Sequence, residues 1–288
     1  MSAEPLLDVQ ELEVRIRTGA GEVRPVAGVS FTVGRGEIVG VVGESGSGKT
    51  LTSLAVGALL PRNATAHAAR LRFAGCDLLS ASPRTLRRLL GTELAMVFQD
   101  PMSSLNPSRR IGAQMVEAVR EHRGLSREEA RRRAAGALAD VRLTDPAARL
   151  RQYPHELSGG MRQRTMIAMG LMSEPSLIVA DEPTTALDVT VQAQVVELLC
   201  ELNERHGSAV LFISHNIALL SEVCDRILVM YRGRLVEDLT VAELLARPRH
   251  PYTRALVGAV PDLRTDRTRE LATVPDDVDR LDREVADA

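Results

Sequence analysis

The sequence predicts an α/β fold built on a parallel sheet, with an antiparallel β portion at the N-terminal end and a helical subdomain inserted midway. Three observations predict it. Short, almost wholly apolar runs at 37–42, 94–98, 177–180, 209–213 and 227–230 have the length of strands buried on both faces. Helical patterns separate most of them, as a doubly wound sheet requires. Before residue 40 the pattern differs: Leu12, Val14 and Ile16 alternate with charged residues, and Gly19-Ala20-Gly21 reads as a hairpin turn.

Taken in order, the alternation resumes at 29–33 and gives way to the first buried run. A glycine-rich loop follows, then a helical stretch from Lys49 to Leu60 ended by Pro61. An Arg-rich stretch containing Pro83 leads to the second run. Between about 100 and 175 the pattern is helical. Ser126-Arg-Glu-Glu129 has capping-box spacing, and Ser158 sits as an N-cap. Helical segments at about 189–206 and 217–223 lie between the later strands. From about residue 262 the chain is polar and charged and reads as loosely ordered.

The chain has 288 residues, 44% hydrophobic and 26% charged, with a net charge of −2, which excludes wholesale disorder and fibrous repeats. The balanced charge argues against a dedicated nucleic-acid binder. No apolar run approaches the roughly 18 residues of a membrane span, and the first residues lack the features of a signal peptide, so a cytosolic chain is expected. Cys76, Cys200 and Cys224 are odd in number and have no CxxC spacing, which indicates neither a disulfide framework nor a zinc site. Lys49 is the sole lysine against 35 arginines. It marks a place where a planar guanidinium does not serve.

That lysine stands in Gly43-Glu44-Ser45-Gly46-Ser47-Gly48-Lys49-Thr50, followed by Leu51, after a strand and at the start of a helix. This is the context in which a glycine-rich loop cradles phosphates. Glycines let backbone N–H groups approach phosphate oxygens, Lys49 supplies a point charge, and the Thr50 hydroxyl is a Mg²⁺ ligand. Nucleoside triphosphate binding is expected. The run at 177–180 ends in Asp181-Glu182. Asp181 is expected in the Mg²⁺ shell, and Glu182 to orient or deprotonate water. Leu157-Ser158-Gly159-Gly160-Met161-Arg162-Gln163-Arg164 offers a second anion-binding helix terminus that carries no lysine. One subunit's nucleotide does not need two cradles, so the second is expected to serve another subunit.

These three motifs together resemble the ATP-binding cassette (ABC) family over roughly residues 7–260. The resemblance implies a P-loop NTPase with a RecA-like core and a cassette over 1–260, its helical subdomain at about 100–175. Two cassettes would pair head to tail, with Ser158, Gly159, Gly160 and Asp188 contacting the partner's ATP. Gln99 resembles the glutamine that reaches Mg²⁺ and the attacking water, and His215 the histidine that bridges the γ-phosphate. Asn216 replaces the usual acidic neighbour, a change expected to matter little. No aromatic lies between Leu12 and Pro25 to stack on adenine, which leaves Val23 and Arg24.

Residues 99–107, 153–157 and His250-Pro251-Tyr252-Thr253-Arg254-Ala255-Leu256 resemble the branch that powers oligopeptide, dipeptide and nickel importers, with a C-terminal extension at 240–288. The implied protein is a peripheral ATPase on the cytoplasmic face of the membrane. Its implied partners are a second cassette, two membrane-spanning permease subunits and, indirectly, a solute-binding protein. ATP and Mg²⁺ are the expected cofactors. No iron–sulfur cluster is expected, because no cysteine follows Cys224. The alternative is a soluble clamp on nucleic acid or ribosomes; an ATP-binding regulator without turnover is disfavoured by the presence of Lys49, Asp181, Glu182 and His215.

Overall fold

The computed structural model describes residues 4–100, 104–183 and 189–259. The expected tail from 262 and Asp188 lie outside them. Two sheets organise the chain. The first is five-stranded and antiparallel: β1 (Leu7–Thr18) and β2 (Gly21–Val33) form the hairpin, while β4 (Ala64–His67), β5 (Arg70–Phe73) and β6 (Cys76–Asp77) complete it. The second has the order β11-β10-β3-β9-β8-β7. Its members are β3 (Ile38–Val42), β7 (Leu94–Val97), β8 (Leu177–Asp181), β9 (Ala209–Ile213), β10 (Arg226–Tyr231) and β11 (Arg234–Thr240). All pairings in it are parallel except β10 with β11.

Apart from the edge strand β11, the second sheet is buried on both sides, which explains its unbroken apolar runs. Strand residues alternate between two cores. Ile38, Val42, Val210 and Phe212 face a core shared with the helices. Val39, Val41, Leu211 and Ile213 face the core shared with β1 and β2. Gly40 keeps the helical side open for the segment after β9: a Cβ there would stand 2.9 Å from Cys224 Sγ.

Helices α1 (Lys49–Val56) and α2 (Pro83–Glu93) precede β7. Helices α3 (Ile111–Arg123), α4 (Arg127–Asp140), α5 (Pro146–Arg149) and α6 (Gly159–Leu171) fall between β7 and β8. They are followed by α7 (Val189–His206), α8 (Ile217–Val223), α9 (Val241–Ala246) and α10 (Pro251–Gly258). The capping box at Ser126 forms, with its hydroxyl accepting from the Glu129 N–H and its N–H donating to the Glu129 carboxylate.

Beyond the short strands β4 to β6, the fold departs from the sequence expectation in three places. Helix α1 ends at Val56 rather than Leu60, because Ala58 turns left-handed (φ 51). The N–H groups of Leu59 and Ala58 then bond back to Leu54 and Ala55 carbonyls, a Schellman closure that ends the helix before Pro61 acts. The Arg-rich stretch is α2, capped by Ser82 with Pro83 at its first position. Beyond Gly233 the chain forms strand β11, unassigned from sequence because its burial is only partial.

Candidate functional site

The glycine-rich loop joins β3 to α1 at the C-terminal edge of the parallel sheet, where ligands of such sheets bind. Its shape depends on glycine at two points. A Cβ on Gly43 would lie 2.1 Å from the Met230 carbonyl oxygen, and one on Gly48 (φ 101) 2.8 Å from that of Pro25. At the exposed tip, Gly46 (φ 82) has open space where its Cβ would stand. Glu44 and Ser45 are exposed beside it, while Ser47 is buried and its hydroxyl has no partner among the described residues. Lys49 is only 5% exposed. Its Nζ donates to the carbonyls of Gly43 (2.7 Å) and Glu44 (2.9 Å). Burial holds its pKa below the usual lysine value, against the opposing pull of Glu182, Asp181 and Glu44.

Asp181 closes β8, in register with Ile213 of β9. Thr50 Oγ1 donates to its Oδ1 at 3.3 Å and Ser53 Oγ to its Oδ2 at 3.1 Å. Ser53 was not among the residues expected from sequence. The available signal was its i+3 spacing from Thr50, which puts both hydroxyls on one face of α1. Burial raises the Asp181 pKa; the two hydroxyl hydrogen bonds and Lys49 oppose the rise, and Glu182 adds to it. A buried carboxylate beside two hydroxyls is a hard oxygen donor set. It suits Mg²⁺, which is held through one or two protein oxygens while phosphates and water complete the shell. Among the described residues no group of three or more His, Cys, Asp or Glu is placed to hold a metal ion.

Glu182 leaves the strand line through a left-handed backbone (φ 47), its N–H bonded to the Ile213 carbonyl at 2.9 Å. Such a conformation costs a non-glycine residue about 1–2 kcal/mol. It sets the two adjacent carboxylates in different surroundings. Gln99 Nε2 donates to Glu182 Oε2 at 3.1 Å, and His215 Nδ1 lies 3.6 Å from the same oxygen. The three residues expected to be catalytic therefore meet at one carboxylate oxygen. Asn216 instead supports the neighbouring helix, where its side chain caps α8 by accepting from the Leu219 N–H.

Ser158 caps α6, its hydroxyl accepting from the Met161 N–H at 3.4 Å. Leu157 is buried, Ser158 and Gly159 are exposed, and Gly160 is half-buried. No hydrogen bond among the described residues joins this helix tip to the Lys49 loop. Ser158 and Gly159 are therefore open to solvent at the tip of this helix. In the β1–β2 hairpin, Val23 is exposed and Arg24 is paired with Glu13 at 2.8 Å.

The family model described as "ABC transporter" matches residues 26–185. A second, described as "Oligopeptide/dipeptide transporter, C-terminal region", matches residues 236–285. Over 274 residues the chain is 49% identical to the probable peptide ABC transporter ATP-binding protein y4tR of Sinorhizobium fredii, spanning 95% of this chain and 82% of that one. It is 47% identical over 270 residues to the dipeptide transport ATP-binding protein DppD of Escherichia coli, spanning 94% and 82%. In three dimensions it is similar to a dimeric post-hydrolysis state of the ATP-binding cassette MJ0796 bound to ADP and Pi. That match has a TM-score of 0.70 at 26% identity and covers 82% of this chain and 98% of the other. A fold shared with a cassette captured after hydrolysis, and nearly half its residues shared with ATP-binding transport proteins along almost its whole length, place this chain in the ABC transporter family as one of its ATPases.

Proposed function

We propose that the chain hydrolyses ATP to drive uptake of dipeptides or oligopeptides, working in a cassette pair on the cytoplasmic face of a membrane beneath two permease subunits. The observation that carries this reading is the match at 236–285 to a C-terminal region of oligopeptide/dipeptide transporters, beyond the cassette common to the whole family. The relatives described above carry peptide or dipeptide transport in their names. None favours a clamp on nucleic acid or ribosomes.

In this reading the loop from Gly43 to Leu51 holds the triphosphate, and Lys49 moves its ammonium from the Gly43 and Glu44 carbonyls toward the β- and γ-phosphates. Bound at Thr50 and Asp181, Mg²⁺ would neutralise charge on those phosphates. Gln99 and Glu182 orient a water, and Glu182 takes its proton as the oxygen attacks the γ-phosphorus and ADP leaves. His215 approaches the γ-phosphate from the exposed side of Glu182. Ser158 and Gly160 of the partner cassette close over the same phosphate, with the partner's helix α6 supplying its N-terminal potential. The chemistry consists of positioning and charge stabilisation, with no covalent intermediate.

The test is reconstitution with the two membrane-spanning permease subunits of a peptide importer. ATP turnover that rises when a peptide-loaded solute-binding protein is added supports the proposal. Turnover indifferent to that receptor and stimulated by DNA or ribosomes overturns it.

A further inference from the structure

One peptide group in the phosphate loop is held at both ends. The carbonyl of Gly43 accepts from Lys49 Nζ at 2.7 Å. On the other side of the same planar unit, the Glu44 N–H donates to the Tyr252 hydroxyl at 2.8 Å. In a trans peptide the C=O and N–H point in opposite directions, so fixing one end fixes the aim of the other. Tyr252 belongs to α10, far along the chain from the loop, within the His250-Pro251-Tyr252 segment that the proposed chemistry does not use.

The phenol is rigidly supported. Tyr252 is fully buried, and its ring stacks on Tyr231 with centroids 4.4 Å apart. The Tyr252 N–H donates to His250 Nδ1 at 3.1 Å, which fixes the start of the helix. Tyr231 ends β10, the strand whose Met230 carbonyl crowds Gly43 and whose following turn donates the Gly233 N–H to the Ser47 carbonyl. The rear of the loop thus rests on β10 and α10 together. Burial pushes the Tyr252 phenol up to about 12, so it stays neutral through the physiological range.

We propose that Tyr252 is a positioning residue of the nucleotide site, which fixes the 43–44 peptide so that its carbonyl holds the Lys49 ammonium ready for phosphate. The C-terminal extension thereby becomes a structural part of the phosphate cradle. This rests on the nucleotide-site reading above.

The test is Tyr252→Phe in the full chain, which removes one oxygen and leaves the stacked ring. Three quantities are measured: the Kd of a fluorescent ATP analogue, the melting temperature without nucleotide, and the hydrogen exchange of the Glu44 amide. The expected result is a Kd raised about three- to tenfold, the worth of one hydrogen bond, with faster Glu44 exchange and little change in melting temperature. A lower melting temperature with an unchanged Kd would make Tyr252 a packing residue and overturn the proposal. Should the variant not fold, the wild-type chain decides without nucleotide: a protected Glu44 amide supports the clamp, and one exchanging at the rate of an open loop refutes it. Failure of the wild-type chain to bind the analogue overturns the nucleotide-site reading itself, and with it the effect on affinity.

Discussion

His215 Nδ1 stands 3.6 Å from Glu182 Oε2, although the two residues lie on different strand ends and the histidine side chain is 58% exposed while the glutamate's is 18% exposed. The imidazole can therefore swing toward an incoming phosphate while Glu182 stays in place, fixed by its backbone bond to Ile213 and by Gln99. Replacing Glu182 with Gln removes the proton acceptor and keeps the shape. Hydrolysis should fall by about 10²–10⁴-fold, the usual contribution of a general base, while the Kd for ATP stays within a few-fold of wild type. Unchanged turnover would assign the base elsewhere.

Asp181 yields a prediction in which stability and activity move apart. Its folded pKa lies above 3.8, so the folded state disfavours ionisation. The stability linked to the neutral carboxyl is whole below pH 3.8 and is lost as pH rises through the folded value. Asp181→Asn should melt higher than wild type at neutral pH without nucleotide, and the gap should narrow as pH is lowered. Mg²⁺-dependent turnover should meanwhile fall by roughly 10²-fold or more. A variant that melts lower at neutral pH would show that Thr50 and Ser53 stabilise the carboxylate more than burial penalises it.

Gly43 tests the cradle's backing. An alanine there would drive its Cβ to within 2.1 Å of the Met230 carbonyl, a backbone atom that cannot step aside cheaply. Gly43→Ala should lower unfolding free energy by about 1–3 kcal/mol, in the range of overpacking, and weaken nucleotide binding as well. Gly46→Ala meets no atom, and its cost should be confined to the left-handed backbone at φ 82. Equal effects of the two in chemical denaturation would contradict the close approach.

Ser158 and Gly159 are exposed at the tip of α6. If they serve the partner's nucleotide, Ser158→Arg should leave ATP binding by the isolated chain intact. It should also reduce turnover of the assembled transporter by about 10²-fold, and the lost cap should lower stability by about 1 kcal/mol. Loss of binding in the isolated chain would place this tip in its own subunit's site.

The parts most legible in the sequence were those whose physics is local. The loop from Gly43 to Thr50 declares itself through glycine spacing after a buried strand, and Asp181-Glu182 through two carboxylates at the end of another. What escaped depends on contacts that composition does not encode. Strands β4 to β6 are two to four residues long, too short for alternation to register. The hydrogen bond from Ser53 to Asp181 needs the register of β8 against α1. The left-handed turn at Glu182 follows from its bond to Ile213, and the grip of Tyr252 on Glu44 spans most of the chain. Tyr252 was visible only as part of a resemblance to importer C-termini, with no indication of what its hydroxyl touched.

In the proposed function the Lys49 loop binds the phosphates of ATP. Since Lys49 is the sole lysine, growth on ¹⁵N-lysine gives a spectrum with one backbone amide resonance, located in that loop. Titration with Mg²⁺-ATP should shift this resonance saturably, and Mg²⁺-adenosine, which has no phosphates, should leave it in place. A resonance that stays fixed at ATP concentrations where the chain is demonstrably saturated would mean that the nucleotide binds elsewhere.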